Sequence, residues 1–328
     1  MKQCLLCLLV GLILCGANAA RAGSTAWLHF DFAAKTLRVA TEGAEQVYEI
    51  DDARERLESF REALSKGLFD ENESAELGRL LLGAAAAQLS SAERWIVSPI
   101  EAAPLSALKG PWNPHQALIA TKEIGYLPPS VNEFQSGDDR AGVLAITPYT
   151  GGLSVERDSS DDIYNALRRA ERSVELIPRN DSRPDIIGVN LQEQDYALLW
   201  LRASPSTAAD LLPSMAASNA PLLWTQPQYL ESHDSAQSLQ LAARFAKTHA
   251  CVIVDLWPHS EERMATSLKE FFTRCEDADA LTALTALRRT LANEASEEDW
   301  AGIILIGDPG ARWELKKPGW LQGWLRRR

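Results

Sequence analysis

The chain has 328 residues, with 33 Lys and Arg against 45 Asp and Glu and a formal net charge of −12. A composition of 46% hydrophobic and 24% charged residues is that of an ordinary globular protein and excludes collagen-like and disordered chains. The acid excess argues against nucleic-acid binding, and the length allows one large or two modest domains around a sizeable core.

The first 22 residues read as a secretory signal peptide. Met1-Lys2 is a small positive start, Cys4 to Cys15 is apolar, and Ala17-Asn18-Ala19 or Ala20-Arg21-Ala22 offers a small-residue cleavage site. The apolar run is short for a bilayer span, so an uncleaved anchor is the lesser reading. A lipoprotein site at Cys15 is disfavoured by the bulky Leu14 before it. The expectation is export to the periplasm or the extracellular space. Cys4, Cys7 and Cys15 would leave with the leader, so Cys251 and Cys275 remain. Their positions leave open a disulfide or two separate semi-buried thiols.

Partial alternation over Ala26–Phe32, Thr36–Val39 and Val47–Ile50 predicts N-terminal antiparallel hairpins. Asp51 or Asp52 then caps a helix, with Asp52 and Glu55 spaced for a capping box. Its apolar stripe is Leu57, Phe60 and Leu64, and Gly67 ends it. A second helix is predicted from Glu73 to Leu89, with Leu77, Leu80, Leu81 and Ala84 on one face. Strands follow at Arg94–Pro99, Thr121–Leu127 and Gly142–Ile146, with a helical turn at Ala103–Leu108 and polar loops at 135–140 and 149–160.

Ile163, Leu167 and Ala170 predict a helix over Asp161–Leu176, followed by a turn at Asn180–Pro184. Tyr196–Leu201 and Pro221–Trp224 read as strands, and Ala208–Met215 and Ser238–Lys247 as helices. Two short runs close the pattern. Ala250–Pro258 is β-branched and stopped by a proline; Trp300–Gly310 is apolar and closed by Gly307, Asp308, Pro309 and Gly310. Both read as buried strands, with two amphipathic helices between them.

The alternation of strand, loop and helix, without a linker or internal repeat, predicts one α/β domain with a largely parallel central sheet and helices on both faces. Functional residues in such sheets lie in loops beyond the carboxyl ends of the strands. That rule selects Pro99–Glu101, Pro148–Leu153, Arg202–Thr207, Thr225–Gln228 and Trp257–Ser260.

Several segments, in order, resemble those of the CHAT domain family, caspase-like relatives of the clan CD cysteine peptidases. They are Arg94-Trp-Ile-Val-Ser-Pro with Pro104-Leu-Ser-Ala-Leu108, and Ile124-Gly-Tyr-Leu-Pro-Pro-Ser130. Further on come Ala242–Phe245 with Ala250–Pro258, then Phe271-Phe272, then Ala286-Leu287-Arg288 with Trp300–Asp308. The last pair is similar to the family's closing "ALr…WAgFvLiGd" pattern. The resemblance covers residues 26–310 and implies a caspase-like three-layer sandwich. It also implies a histidine at the end of one strand and a cysteine at the end of the next. In Ala197-Leu-Leu-Trp-Leu-Arg-Ala-Ser-Pro205 the histidine's place falls to Ser204 or Ala203. In Leu222-Leu-Trp-Thr-Gln-Pro227 the cysteine's place falls to Thr225 or Gln226. Neither serine as base nor glutamine as nucleophile can run thiolate chemistry, so the resemblance implies a peptidase scaffold without its dyad.

Other residues are candidate replacements for the dyad. Asp255 stands inside an apolar strand and needs a partner or a raised pKa. His259 follows Trp257-Pro258 at the expected edge. His249 and Cys251, two apart, would share a face of a strand, but at its start. His29 falls in the hairpins, and His115 and His233 in polar loops. No histidine or cysteine spacing suggests a metal site, Gly151-Gly152 is too short for a phosphate loop, and no cofactor is expected. The tail, 311–328, sets Trp313, Trp320 and Trp324 among Lys316, Lys317, Arg326, Arg327 and Arg328. Trp320, Trp324 and the three closing arginines suit peripheral contact with an anionic membrane, although a frayed tail is the plainer expectation. The expected function is an exported pseudopeptidase that binds a protein partner, a TPR-bearing one among the candidates. The alternative is an active hydrolase using Ser204, Asp255 and His259.

Overall fold

A computed structural model describes residues 24–127 and 278–311 throughout. Between them it describes 143–146, 174–177, 183–193, 196, 198–203, 205–216, 222–226, 235–247, 249, 251–258 and parts of 266–275. The leader (1–22), the tail from 312, Ser204, His233 and His259 lie outside the described residues.

The chain enters as an antiparallel meander, β1 (Thr25–Asp31), β2 (Thr36–Thr41) and β3 (Ala44–Glu49). Alternation does here what it predicts: Ala26, Leu28 and Phe30 are buried and the residues between them are less so. Helix α1 (Arg54–Ser65) buries Leu57, Phe60 and Leu64 as expected, and Gly67 follows it at φ 69°. The capping box does not form. Ala53 is the N-cap and offers no side chain, while Asp52 pairs with Lys35 at 3.2 Å.

Asp70 caps α2 (Glu71–Leu82) by accepting from the N–H groups of Asn72 and Glu73. The predicted helix to Leu89 is broken after Leu82 by a 3₁₀ turn at Gly83–Ala85, before a short α3 (Ala86–Ser90). Glycine is the poorest non-proline helix former, and the break falls there. Next come β4 (Arg94–Ser98) and a small separate ribbon, β5 (Lys109–Gly110) with β6 (Asn113–Ala117), which the sequence pattern did not indicate.

The sheet continues with β7 (Glu123–Tyr126), β8 (Val143–Ile146) and β9 (Val174–Ile177). Strand β9 corrects the helix expected over Asp161–Leu176. Its last residues pair in parallel with β8, Val174 opposite Val143 and Ile177 opposite Ile146; residues 161–173 lie outside the described residues. Helix α4 (Pro184–Glu193) begins where a turn was expected, with proline in the first helical position. Then follow β10 (Leu198–Arg202), α5 (Pro205–Ala216), β11 (Leu222–Gln226), α6 (Ser235–Phe245) and β12 (Cys251–Asp255). Helices α7 (Ala280–Glu294) and α8 (Glu298–Ala301) lead into β13 (Ile303–Gly307). Trp300 therefore belongs to a helical turn and not to the strand.

Eleven of these strands form one mixed, mostly parallel sheet in the order β3-β2-β1-β4-β7-β13-β12-β11-β10-β8-β9. Helices pack on both faces, giving a three-layer α/β sandwich. Strands β1, β4, β7 and β13 run one way. Strands β12, β11, β10, β8 and β9 run the other, and the two blocks meet at the antiparallel β12–β13 pair. The carboxyl ends of the two blocks thus lie on opposite edges. Pro99–Glu101, after β4, is on the edge away from the loops after β10, β11 and β12. One carboxyl-edge rule cannot select all five loops as a single site.

Arg94 ties the first block together at its amino edge. Its guanidinium meets Glu123 of β7 at 2.7 Å and Asp279, the N-cap of α7, at 3.0 Å, and donates to Thr282 Oγ1 at 2.8 Å. The arginine side chain is 12% exposed and its acidic partners 16–20%, so solvent screens the cluster only partly. Removing the cation would leave two carboxylates facing each other. Arg94→Met is expected to lower unfolding stability by about 2–3 kcal/mol, read as a shift in the urea midpoint without a change in slope.

Candidate functional site

The order β9-β8-β10-β11-β12 reverses direction in sequence between β8 and β10. In open α/β sheets the crevice outside the carboxyl ends at such a switch point is where ligands bind. Register fixes what lies on that edge. Arg202, at the end of β10, pairs with Gln226, at the end of β11. Thr225 pairs with Val254, so Asp255 continues the row on β12. Arg202, Gln226 and Asp255 therefore stand at one level on three adjacent strands. Ser204 falls two residues beyond Arg202 and His259 four beyond Asp255, both outside the described residues.

Asp255 is fully buried. Its Oδ1 accepts from Trp224 Nε1 at 3.3 Å, and its Oδ2 has no partner among the described residues. The Trp224 ring is itself held edge-on against Phe271, with centroids 5.2 Å apart. Burial pushes the Asp255 carboxyl well above its ordinary value, and one indole hydrogen bond offsets this only partly. Burial therefore favours the protonated, neutral form. In that form it can donate a proton, but it is neither a base nor a nucleophile. The sequence marks Asp255 as out of place and does not reveal Trp224 as its partner. Alternation puts both on one face only once the β11–β12 register is known.

The His249 and Cys251 pair lies at the opposite end of β12 and is chemically quiet. His249 is 2% exposed, its Nδ1 lies 3.2 Å from the Phe245 carbonyl, and burial pushes its imidazole down to about 4. Burial raises the Cys251 thiol well above its ordinary value. A protonated thiol beside a neutral buried imidazole is not an activated nucleophile. Cys251 and Cys275 are both buried and are not joined by a disulfide. His115, on β6, is exposed, while His29 on β1 sits 2.7 Å from Ser98 Oγ, a contact that sequence spacing does not reveal.

Trp257 belongs to the scaffold. Its indole donates to the Glu298 carbonyl at 2.7 Å, and a Cβ on Gly302 would lie 2.5 Å from its ring. A groove of about 770 Å³ opens between α1 and α6, with Arg61, Glu101 and Arg244 among its lining residues. No group of His, Cys, Asp and Glu among the described residues could hold a metal ion. No protein-family model matches the chain, and no curated protein matches it either.

The sign of the Asp255 effect on stability follows from its raised pKa. The folded state holds the proton to higher pH than the unfolded chain does. The stability this contributes is complete below the unfolded value near 4 and is lost as pH rises toward the folded value. Asp255→Asn removes the dependence. The variant should gain on the wild type as pH rises above about 4, by at most about 1.4 kcal/mol per pH unit. Urea unfolding at several pH values measures it. A difference that shrinks with rising pH would show an ionised, stabilised Asp255.

Proposed function

We propose that this chain is a CHAT-like pseudopeptidase, exported, that keeps a peptidase scaffold and works by binding a protein partner. The reading rests on one observation. On the edge where the resemblance would put a histidine and a cysteine, Arg202, Gln226 and the buried Asp255 stand level on adjacent parallel strands. A dyad split between the ends of consecutive strands requires that those strands be neighbours and parallel. β10 and β11 meet the requirement, pairing from Leu198 opposite Leu222 to Arg202 opposite Gln226. That pairing supports the scaffold reading, and neither Arg202 nor Gln226 is a histidine or a cysteine.

In open α/β sheets ligands bind outside the carboxyl ends of the strands at a switch point, here the one between β8 and β10. Partners of a TPR-bearing kind, and an anionic membrane surface met by Trp320, Trp324 and Arg326 to Arg328, belong to the same reading. Among the described residues no helix is long and apolar enough to cross a membrane.

One observation favours a second reading. A buried carboxyl with one oxygen unpartnered among the described residues is also what a proton-donating catalyst looks like, so an active hydrolase using Asp255, His259 and Ser204 is the alternative.

A broad peptide library separates the two. We expect no cleavage by the wild type. Photo-crosslinking from position 226 should trap a partner protein, and crosslinking from position 47, exposed on β3, should trap none. Cleavage that disappears in Asp255→Asn would replace the binding reading with the hydrolase one.

A further inference from the structure

We propose that Ser98 and His29 form a nucleophile–base pair that transfers acyl groups from esters, on the sheet edge opposite to Arg202, Gln226 and Asp255. This stands apart from the binding function proposed above and does not rest on it.

The geometry comes from parallel pairing. β1 and β4 run side by side with His29 in register with Ser98, so the two side chains leave the sheet on one face. Both strands end there: Ser98 closes β4, and His29 lies two residues from the end of β1. Ser98 Oγ and His29 Nδ1 are 2.7 Å apart, within the reach required between a nucleophile and its base. In the tautomer with its proton on Nε2, Nδ1 accepts from the hydroxyl. Both residues are only partly buried, so a small substrate can reach them.

The surroundings keep the imidazole in the form that takes up a proton. On the other side of His29, its register partner on β2 is Arg38. Two residues along β1, on the same face, is Asp31. Burial and the Arg38 charge lower the imidazole pKa and the Asp31 charge raises it, with a net downward shift. Asp31 Oδ1 receives the N–H groups of Ala33 and Ala34 at 3.1 and 2.9 Å, and Arg38 pairs with Glu45 at 3.2 Å. Neither side chain is committed to orienting the ring.

In the reaction, Ser98 Oγ adds to the ester carbonyl carbon while its proton passes to His29 Nδ1. The bond from that carbon to the alkoxy oxygen breaks as the proton moves to the departing alcohol. Water then adds to the acyl-serine, giving one proton to Nδ1 and its hydroxyl to the acyl carbon. The carboxylic acid leaves, and the proton returns to Ser98 Oγ. An amine leaves less readily than an alcohol, and a dyad without an orienting acid is a weaker catalyst than a triad. Esters, and not peptides, are therefore the substrate class.

The test is reaction of the folded chain with an alkyl fluorophosphonate, followed by mass-spectrometric mapping of the adduct. We expect one adduct, on Ser98, absent in Ser98→Ala. In His29→Gln it should form at least tenfold more slowly, with unchanged circular dichroism. The wild-type rate should rise with pH to a plateau, its midpoint below the ordinary imidazole value of 6.5. Labelling of Ser98 no faster than of other serines, an unchanged rate in His29→Gln, or a rate that does not rise with pH anywhere below 6.5 would each overturn the proposal. The wild-type mapping and pH profile need no variant, so a misfolded substitution leaves the question decidable. Failure of the Ser98 adduct leaves the protein-binding reading untouched, and an uncleaved peptide library leaves this one untouched.

Discussion

The antiparallel pairing of β12 with β13 is the constraint on which the rest of the molecule depends. Five ladder positions, from Cys251 opposite Gly307 to Asp255 opposite Ile303, join two blocks of parallel strands into one sheet. Both strands are wholly buried, so they carry apolar runs and no alternation. The turn beyond β12 is locked as well. Leu256 donates to the Gly302 carbonyl at 2.9 Å, and the Trp257 ring lies where any Cβ on Gly302 would be. A reversal at the centre of the sheet places the two sets of strand ends on opposite edges. It thereby sets the level of Arg202, Gln226 and Asp255 apart from that of His29 and Ser98.

Ion pairs and buried cations then fasten helices to this frame. Arg94 holds the start of α7 against β4 and β7. Further along α7, the fully buried Arg288 donates to the Trp300 carbonyl at 3.2 Å and to Ser106 Oγ, with no ion pair to a carboxylate among the described residues. Burial pushes its guanidinium down to about 10, still charged at neutral pH. Lys122 donates to the carbonyls of Leu89, Ser90 and Ala92 at 2.6–3.2 Å and lies over the rings of Trp95 and Trp112. Arg288 and Lys122 thus satisfy backbone carbonyls at helix ends and turns, which accounts for their burial.

The two buried acid–base curiosities of β12 differ for a physical reason. His249 and Cys251 open the strand, where desolvation holds each in its uncharged form and neither activates the other. Asp255 closes it, beside an indole donor, with an oxygen to spare. The His29 and Ser98 contact differs from both in being half exposed.

Strand and helix existence was largely legible from the residues. Short apolar runs marked β10, β11, β12 and β13, and alternation marked β1 and β2. The stripe of Leu57, Phe60 and Leu64 marked α1. Local chemistry misled where tertiary pairing overrode it: Val174–Leu176 falls in the helix expected over Asp161–Leu176 and is strand because β8 offers it a ladder. Asp52 reads as a cap and instead meets Lys35. Asp255 was visible as an anomaly because a carboxyl in an apolar run has a desolvation cost that any fold must meet. Its partner Trp224, the alignment of Arg202 with Gln226, and the meeting of His29 with Ser98 sixty-nine residues away were not visible. Residue order determines which segments bury themselves. Which residues then stand level with one another is decided by strand order and register, and those arise only when the whole sheet forms.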